Sequence, residues 1–263
     1  MRSVEAAIRA ALLTPEPFDK AMATRLVRRA WRAGELALRC DTVMPDRPGR
    51  PERPELLPPA AMPKRGKAGS LRGRIALLHA LAHVECVAID LALDMAGRFG
   101  RAQERAFVDD WLGVAADEAM HFVLLARRLR ALGSGYGALP AHGGLWEAAE
   151  ATRGDIAARL AVVPMVLEAR GLDVTPATIV RLRRAGDERS ARILERILDD
   201  EIRHVRIGTK HFLAICERDG QDPVELWKTL VRSRFRGSLK PPFNDSARQA
   251  AGLSRSFYAA LAT

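Results

Sequence analysis

The chain has 263 residues, 48% of them hydrophobic and 28% charged, which is apolar material enough for one large core or two smaller ones and excludes general disorder. Aromatics make up only 5% while alanine, leucine and arginine dominate, a balance that favours helices and excludes an all-β fold. The 42 Lys and Arg against 32 Asp and Glu leave a net charge of +10, which permits contact with nucleic acid or acidic lipid without demanding it, because the arginines are scattered in short runs such as Arg127-Arg128.

Residues 4–35 carry an amphipathic pattern, one helix or two short ones broken near Thr14-Pro15, where threonine can cap and proline can open a first turn. Together with the rest of 1–40 they read as an N-terminal helical arm. Between 41 and 70 the character changes. Pro45, Pro48, Pro51, Pro54, Pro58, Pro59 and Pro63 remove backbone donors and bar a helix, leaving an extended strap whose Leu56, Leu57 and Met62 suit a path along a core. From Leu71 to Phe99 apolar residues recur at helical spacing, which predicts a first long helix. A second is expected from about Gln103 to Leu132. It stops at Gly133, before a glycine-rich crossing with Gly135, Gly137, Gly143 and Gly144.

A third helix is expected from about Leu145 to Arg170, weakened at Gly154 and kinked at Pro164, where the ring meets the preceding turn and a hydrogen bond is lost. Gly171 reads as its end. Thr175-Pro176 then opens a short helix to about Ala185, and Gly186-Asp187 stops that helix and caps a long fourth one, to about Arg218. A further helix covers 222–235, so 220–263 reads as a C-terminal helix and tail. Residues 71–219 thus hold two helix pairs joined by a crossover. The expected fold is all-α, a four-helix bundle with one long connection and helical extensions at both ends.

Chemistry concentrates on those four helices. Glu118 and His121 are three apart on the second, as are Glu201 and His204 on the fourth, so each pair projects from one helical face. Glu85 and Glu168 lie among apolar residues of the first and third, where a carboxylate must be protonated, paired or bound to a cation. Glu118 follows Glu85 by 33 residues, and Glu201 follows Glu168 by the same 33. In an antiparallel pair, residues equidistant from the turn meet at one height. The first midpoint falls between Arg101 and Ala102, next to Gly100, and the second beside Gly186. Four carboxylates and two imidazoles on one axis suit two iron or manganese ions better than a zinc-thiolate site. Asp117 and Asp200, each preceding an ExxH glutamate, are placed to accept a ring N–H from a histidine of the other half.

The lone glutamates and the paired segments Asp117-Glu118-Ala119-Met120-His121 and Asp200-Glu201-Ile202-Arg203-His204 resemble the ferritin-like di-iron carboxylate superfamily. Asp109-Asp110-Trp111-Leu112 onward to His121, and Leu167 to Asp173, resemble an uncharacterised bacterial branch of it. The likeness covers roughly 71–219. It implies Glu85, Glu118, His121, Glu168, Glu201 and His204 as metal ligands, two iron ions or a Mn/Fe pair as cofactor, and O2 or peroxide as co-substrate. The chain has no cysteine pairs like those of a fused rubredoxin, so the electron donor is expected to be external. Tyr136 and Tyr258 lie off the expected ligand helices, against a tyrosyl radical.

The expected function is therefore an O2-dependent di-iron oxidoreductase, a hydroxylase or oxidase of a small organic substrate. Three other readings stay open: a ferroxidase or peroxide-handling protein; a tRNA-modifying hydroxylase, since one ferritin-like relative acts on a tRNA base and this chain is basic; and a metal-free structural or adaptor bundle. Helical proteins of this type often pair, so a homodimer is compatible.

The remaining groups take plainer roles. His83 is about 200° around the helix from Glu85 and faces away; His79 is read with it as structural. His211, seven after His204, returns to the same face and could line a cavity. Cys86 reads as a small core residue, Trp111 as packing, and Glu188, Glu195 and Asp199 as solvated ion pairs. Cys40, Cys86 and Cys216 form no CxxC pair, which points to a reducing cytoplasm. With no apolar leader and no uninterrupted apolar run of about 18 residues, no membrane is expected.

Overall fold

The computed structural model describes residues 2–39, 42–62 and 69–262. Cys40 and the strap segment 63–68, Pro63 included, lie outside the described residues. The chain divides into two compact units, Met1–Gly144 and Leu145–Thr263, and is mostly helical.

In the N-terminal unit a two-residue strand β1 (Arg2–Ser3) pairs in parallel with β2 (Leu36–Ala37). This short ladder draws together the ends of two helices, α1 (Val4–Leu13) and α2 (Pro17–Arg32). Ser3 caps α1 by accepting from the Ala6 amide, and Pro17 sits in the first turn of α2, where its missing N–H has no partner to lose. The pair was expected as an arm, yet it is built into the unit. α1 packs on α3 (Leu71–Phe99) and α2 on α4 (Arg105–Ala131), burying Ile8, Leu12, Ala21 and Trp31. Asp109 on α4 accepts from Trp31 Nε1 at 3.0 Å and Arg28 Nη1 at 2.7 Å, while the Arg105 guanidinium lies 3.9 Å above the Trp31 ring.

α3 begins where Ser70 accepts from the Gly73 amide at 3.0 Å. From Leu78 to Gly97 almost every α3 residue is buried, as befits a helix that is apolar all round. Over Leu71–Ala102 this helix is long and apolar enough to cross a membrane, but 67% of its most apolar window is buried inside the protein. α3 and α4 turn back on each other through Gly100–Ala102. Gly133, at φ +80°, ends α4, a left-handed conformation that disfavours any Cβ.

The C-terminal unit opens with α5 (Gly144–Ala151) and α6 (Ile156–Val162), separated near Gly154 as anticipated. Buried Arg159 reaches back to the Thr152 hydroxyl and donates to the Ala149 carbonyl at 2.6 Å, satisfying the last turn of α5. The expected kink at Pro164 takes the form of a π-helical turn, Val163–Glu168, an arrangement that accommodates the missing N–H. A methyl group at Gly208 would overlap the Pro164 ring, so this glycine lets α8 (Glu188–Arg218) approach the turn closely.

The expected break at Gly171 and Pro176 does not occur. α7 (Ala169–Arg184) runs through both. Proline at 176 cannot donate to the Leu172 carbonyl four residues earlier, and the Asn244 side-chain amide donates to it instead at 3.1 Å. The C-terminal segment fastens α7 a second time. Arg248, 1% exposed, grips Asp173 through two hydrogen bonds of 2.8 and 2.7 Å and lies over the Tyr258 ring at 4.5 Å. Gly186, at φ +73°, then turns the chain into α8, which Asp187 caps through the Ser190 amide. α9 (Pro223–Arg234), α10 (Asp245–Ala250) and α11 (Arg255–Tyr258) complete the unit.

Candidate metal centre

The α3–α4 pair brings Glu85, Glu118 and His121 together. All three are buried, Glu85 at 5% exposure and the other two at 0%, and their ligand atoms lie within 4.8 Å of one another. His121 Nδ1 faces both carboxylates, 3.3 Å from Glu85 Oε2 and 3.2 Å from Glu118 Oε2. The equal heights expected from the 33-residue spacing are therefore met in this helix pair.

Two carboxylates so close, out of water, resist ionising together. Burial, and after it the charge on Glu118, raises the Glu85 carboxyl well above its ordinary range, while His121 pulls it partly back. A cation between these oxygens and the imidazole nitrogen would relieve both the burial cost and the mutual repulsion. Glutamate oxygens with one histidine nitrogen are a donor set for a divalent transition ion, and this cluster could hold one. Ile89, four residues after Glu85 on α3, and Phe122, next to His121 on α4, are fully buried.

In the C-terminal unit Glu201 and His204 are both buried on α8, with His204 Nδ1 3.7 Å from Glu201 Oε1. Glu168, half-buried, is the last residue of the π-helical turn. Among the described residues this trio does not gather its ligand atoms as closely as the N-terminal trio. Asp200 accepts from Arg196 Nε at 2.7 Å and Arg203 Nη2 at 2.9 Å on its own helix.

The other histidines of the N-terminal unit behave as expected from their spacing. His79 Nε2 accepts from the Gly137 amide at 3.0 Å. His83 lies 3.0 Å from the Tyr136 hydroxyl and donates Nε2–H to the His142 carbonyl at 3.2 Å, and burial pushes its imidazole down to about 4. Both pin the glycine-rich crossing to α3. His211 is half-buried on α8. Burial pushes the Cys86 thiol up to about 12, consistent with an unreactive core residue. Trp111 is buried against Phe107, ring centroids 6.2 Å apart.

A feature absent from the sequence reading is the buried ion pair of Lys20 with Asp90. Asp90 lies four residues after Cys86 and seven after His83, on the same α3 stripe. That helical spacing was the only available signal, because the partner is seventy positions away.

Residues 13–259 match the family described as protein of unknown function DUF455. The chain belongs to this family. The DUF455 match takes in α2 and the helices after α8, so the family's common frame reaches beyond the 71–219 span of the sequence resemblance. An uncharacterized protein of Haemophilus influenzae is 44% identical over 211 residues, 78% of this chain and 73% of that protein. No solved structure matches the chain.

Proposed function

We propose that this DUF455 protein is a ferritin-like di-metal carboxylate oxidoreductase. In this reading the α3–α4 and α7–α8 pairs close into one four-helix bundle, and Glu85, Glu118 and His121 join Glu168, Glu201 and His204 around two metal ions, iron or a Mn/Fe pair. The observation that carries it is the buried contact of His121 with two glutamates, whose charges act on one another deep in an apolar setting. The repeat of ExxH at matched 33-residue spacing supports the second half-site.

When bound, such ions supply electrons to O2 or peroxide. The protein's part is to hold and shield them. The carboxylates provide compensating charge, and His121 presents Nδ1 as a neutral donor, so loading requires it to be deprotonated. Ile89 and Phe122 in one unit, and Ala161 and Met165 in the other, are fully buried and keep water from the reacting centre. The Gly208–Pro164 contact fixes the π-helical turn that carries Glu168. An external donor would return electrons, and a small organic substrate would take up the oxidising equivalents.

The test is O2 consumption by anaerobically iron-loaded protein after mixing with oxygenated buffer. Uptake by the native chain that falls at least about tenfold in Glu118→Gln is expected if the ion stabilises the reaction by more than about 1.4 kcal/mol. Equal uptake by both proteins would overturn the reading.

A further inference from the structure

Within the N-terminal unit, a cavity of about 170 Å³ lies between the start of α2, the strap and α3. We propose that it binds a small monocarboxylate with an apolar body, the carboxylate being held by Arg50. The proposal does not rest on the metal reading, since Glu85 is not among the residues that line this cavity.

Size is the first constraint. A cavity of about 150 Å³ holds benzene, so this one admits a ring or short chain carrying one carboxylate. The walls set the second. Pro17, Pro51, Pro54 and Val87 present apolar surface that a bare inorganic anion would leave uncovered. These prolines offer no backbone N–H, so that part of the wall gives a ligand no main-chain donor.

Charge sets the third. Two cationic side chains line the cavity, and their situations differ. Lys20, 2% exposed, is committed to Asp90 and to the Gly49 carbonyl. Arg50 has a buried Nη2 with no hydrogen-bond partner among the described residues, which is costly for a guanidinium and is relieved by a carboxylate. The Arg50 charge is felt across the cavity, at Asp90 and at Tyr136. The Tyr136 hydroxyl, tied to His83 at 3.0 Å, forms part of the polar wall. Exposed Pro15, Glu52 and Leu56 mark the mouth. Glu52 there disfavours a second negative charge, which selects a monocarboxylate over a dicarboxylate.

Benzoate is the probe, titrated into the full-length protein by calorimetry, with methyl NMR of Val87 reporting the place. Saturable binding that shifts the Val87 methyls is expected, at least tenfold tighter than benzamide or inorganic phosphate. Arg50→Gln should weaken benzoate at least tenfold, and Arg50→Lys should restore part of the loss. Leu56→Trp, a change at an exposed position, should narrow the mouth and weaken binding while leaving the melting temperature in place. It serves as the independent variant if Arg50→Gln folds poorly. Absence of benzoate binding, binding that leaves Val87 unmoved, equal affinity for benzamide or phosphate, or unchanged affinity in both Arg50→Gln and Leu56→Trp would each overturn the proposal.

Discussion

Lys20 and Asp90 form a buried ion pair between α2 and α3, their side chains 2% and 3% exposed. Replacing Lys20 with methionine keeps the aliphatic bulk and strands the carboxylate. Removing one partner of such a pair costs about 3–5 kcal/mol. The pH dependence follows from Asp90. Burial lifts its carboxyl from the ordinary 3.8 to about 6, with Lys20 the strongest influence the other way. A carboxyl raised in the folded state contributes stability that is full below the unfolded value and lost as pH climbs through the folded one, here about 3 kcal/mol in the native protein. Without Lys20 the folded value rises further, so more stability is lost and the loss extends to higher pH. Lys20→Met should therefore lower the melting temperature by about 10 °C at about pH 7.5 and by less than half of that at about pH 5, taking 2–4 °C per kcal/mol. Scanning calorimetry at the two pH values measures this. An unchanged melting temperature at the higher pH, or an equal fall at both, would refute the reasoning.

Three further outcomes follow from the packing. Gly208→Ala should cost about 1–3 kcal/mol, because its methyl group overlaps the Pro164 ring; a denaturant midpoint equal to that of the native chain would contradict the contact. Asn244→Ala strips the substitute donor from the Leu172 carbonyl, so it should destabilise by about 1 kcal/mol more in the native background than in Pro176→Ala, where the helix supplies its own N–H. Additive effects in that double-mutant cycle would count against the role given to Asn244. His79→Ala removes the acceptor for the Gly137 and Leu139 amides, and hydrogen exchange at both should quicken about 5- to 10-fold; unchanged exchange would argue that the crossing is held elsewhere.

Features encoded by neighbours in sequence were legible, and features completed by distant residues were not. Ser70, Gly133 and Gly186-Asp187 mark helix ends through local capping and positive φ, so α3, α4 and α8 were bounded closely from periodicity and turn residues. The Pro164 interruption was equally local. α7 was misread because Gly171 and Pro176 are breakers by every neighbouring signal, whereas the compensation comes from Asn244, 72 residues beyond Leu172. The N-terminal helices looked like an arm because amphipathicity shows that a face is buried without saying against what. Their anchors, Trp31 to Asp109 and Lys20 to Asp90, span 78 and 70 positions.

At the candidate site, ExxH spacing and equidistance from the turn were enough to place Glu85, Glu118 and His121 in contact, since α3 and α4 are continuous and their connection is short. Glu168 ends a π-helical turn, whose form proline at 164 signals only as a disruption. Asp200 also accepts from Arg196 and Arg203, four before it and three after, contacts that helical spacing makes legible.

The central claim is that these glutamates and histidines hold two transition ions, and the most direct measurement is metal content after expression with iron and manganese supplied. About two equivalents per chain are predicted for the native protein, falling to below about one when Glu118→Gln and Glu201→Gln are combined. A native chain that retains no more metal than the double variant would contradict the account.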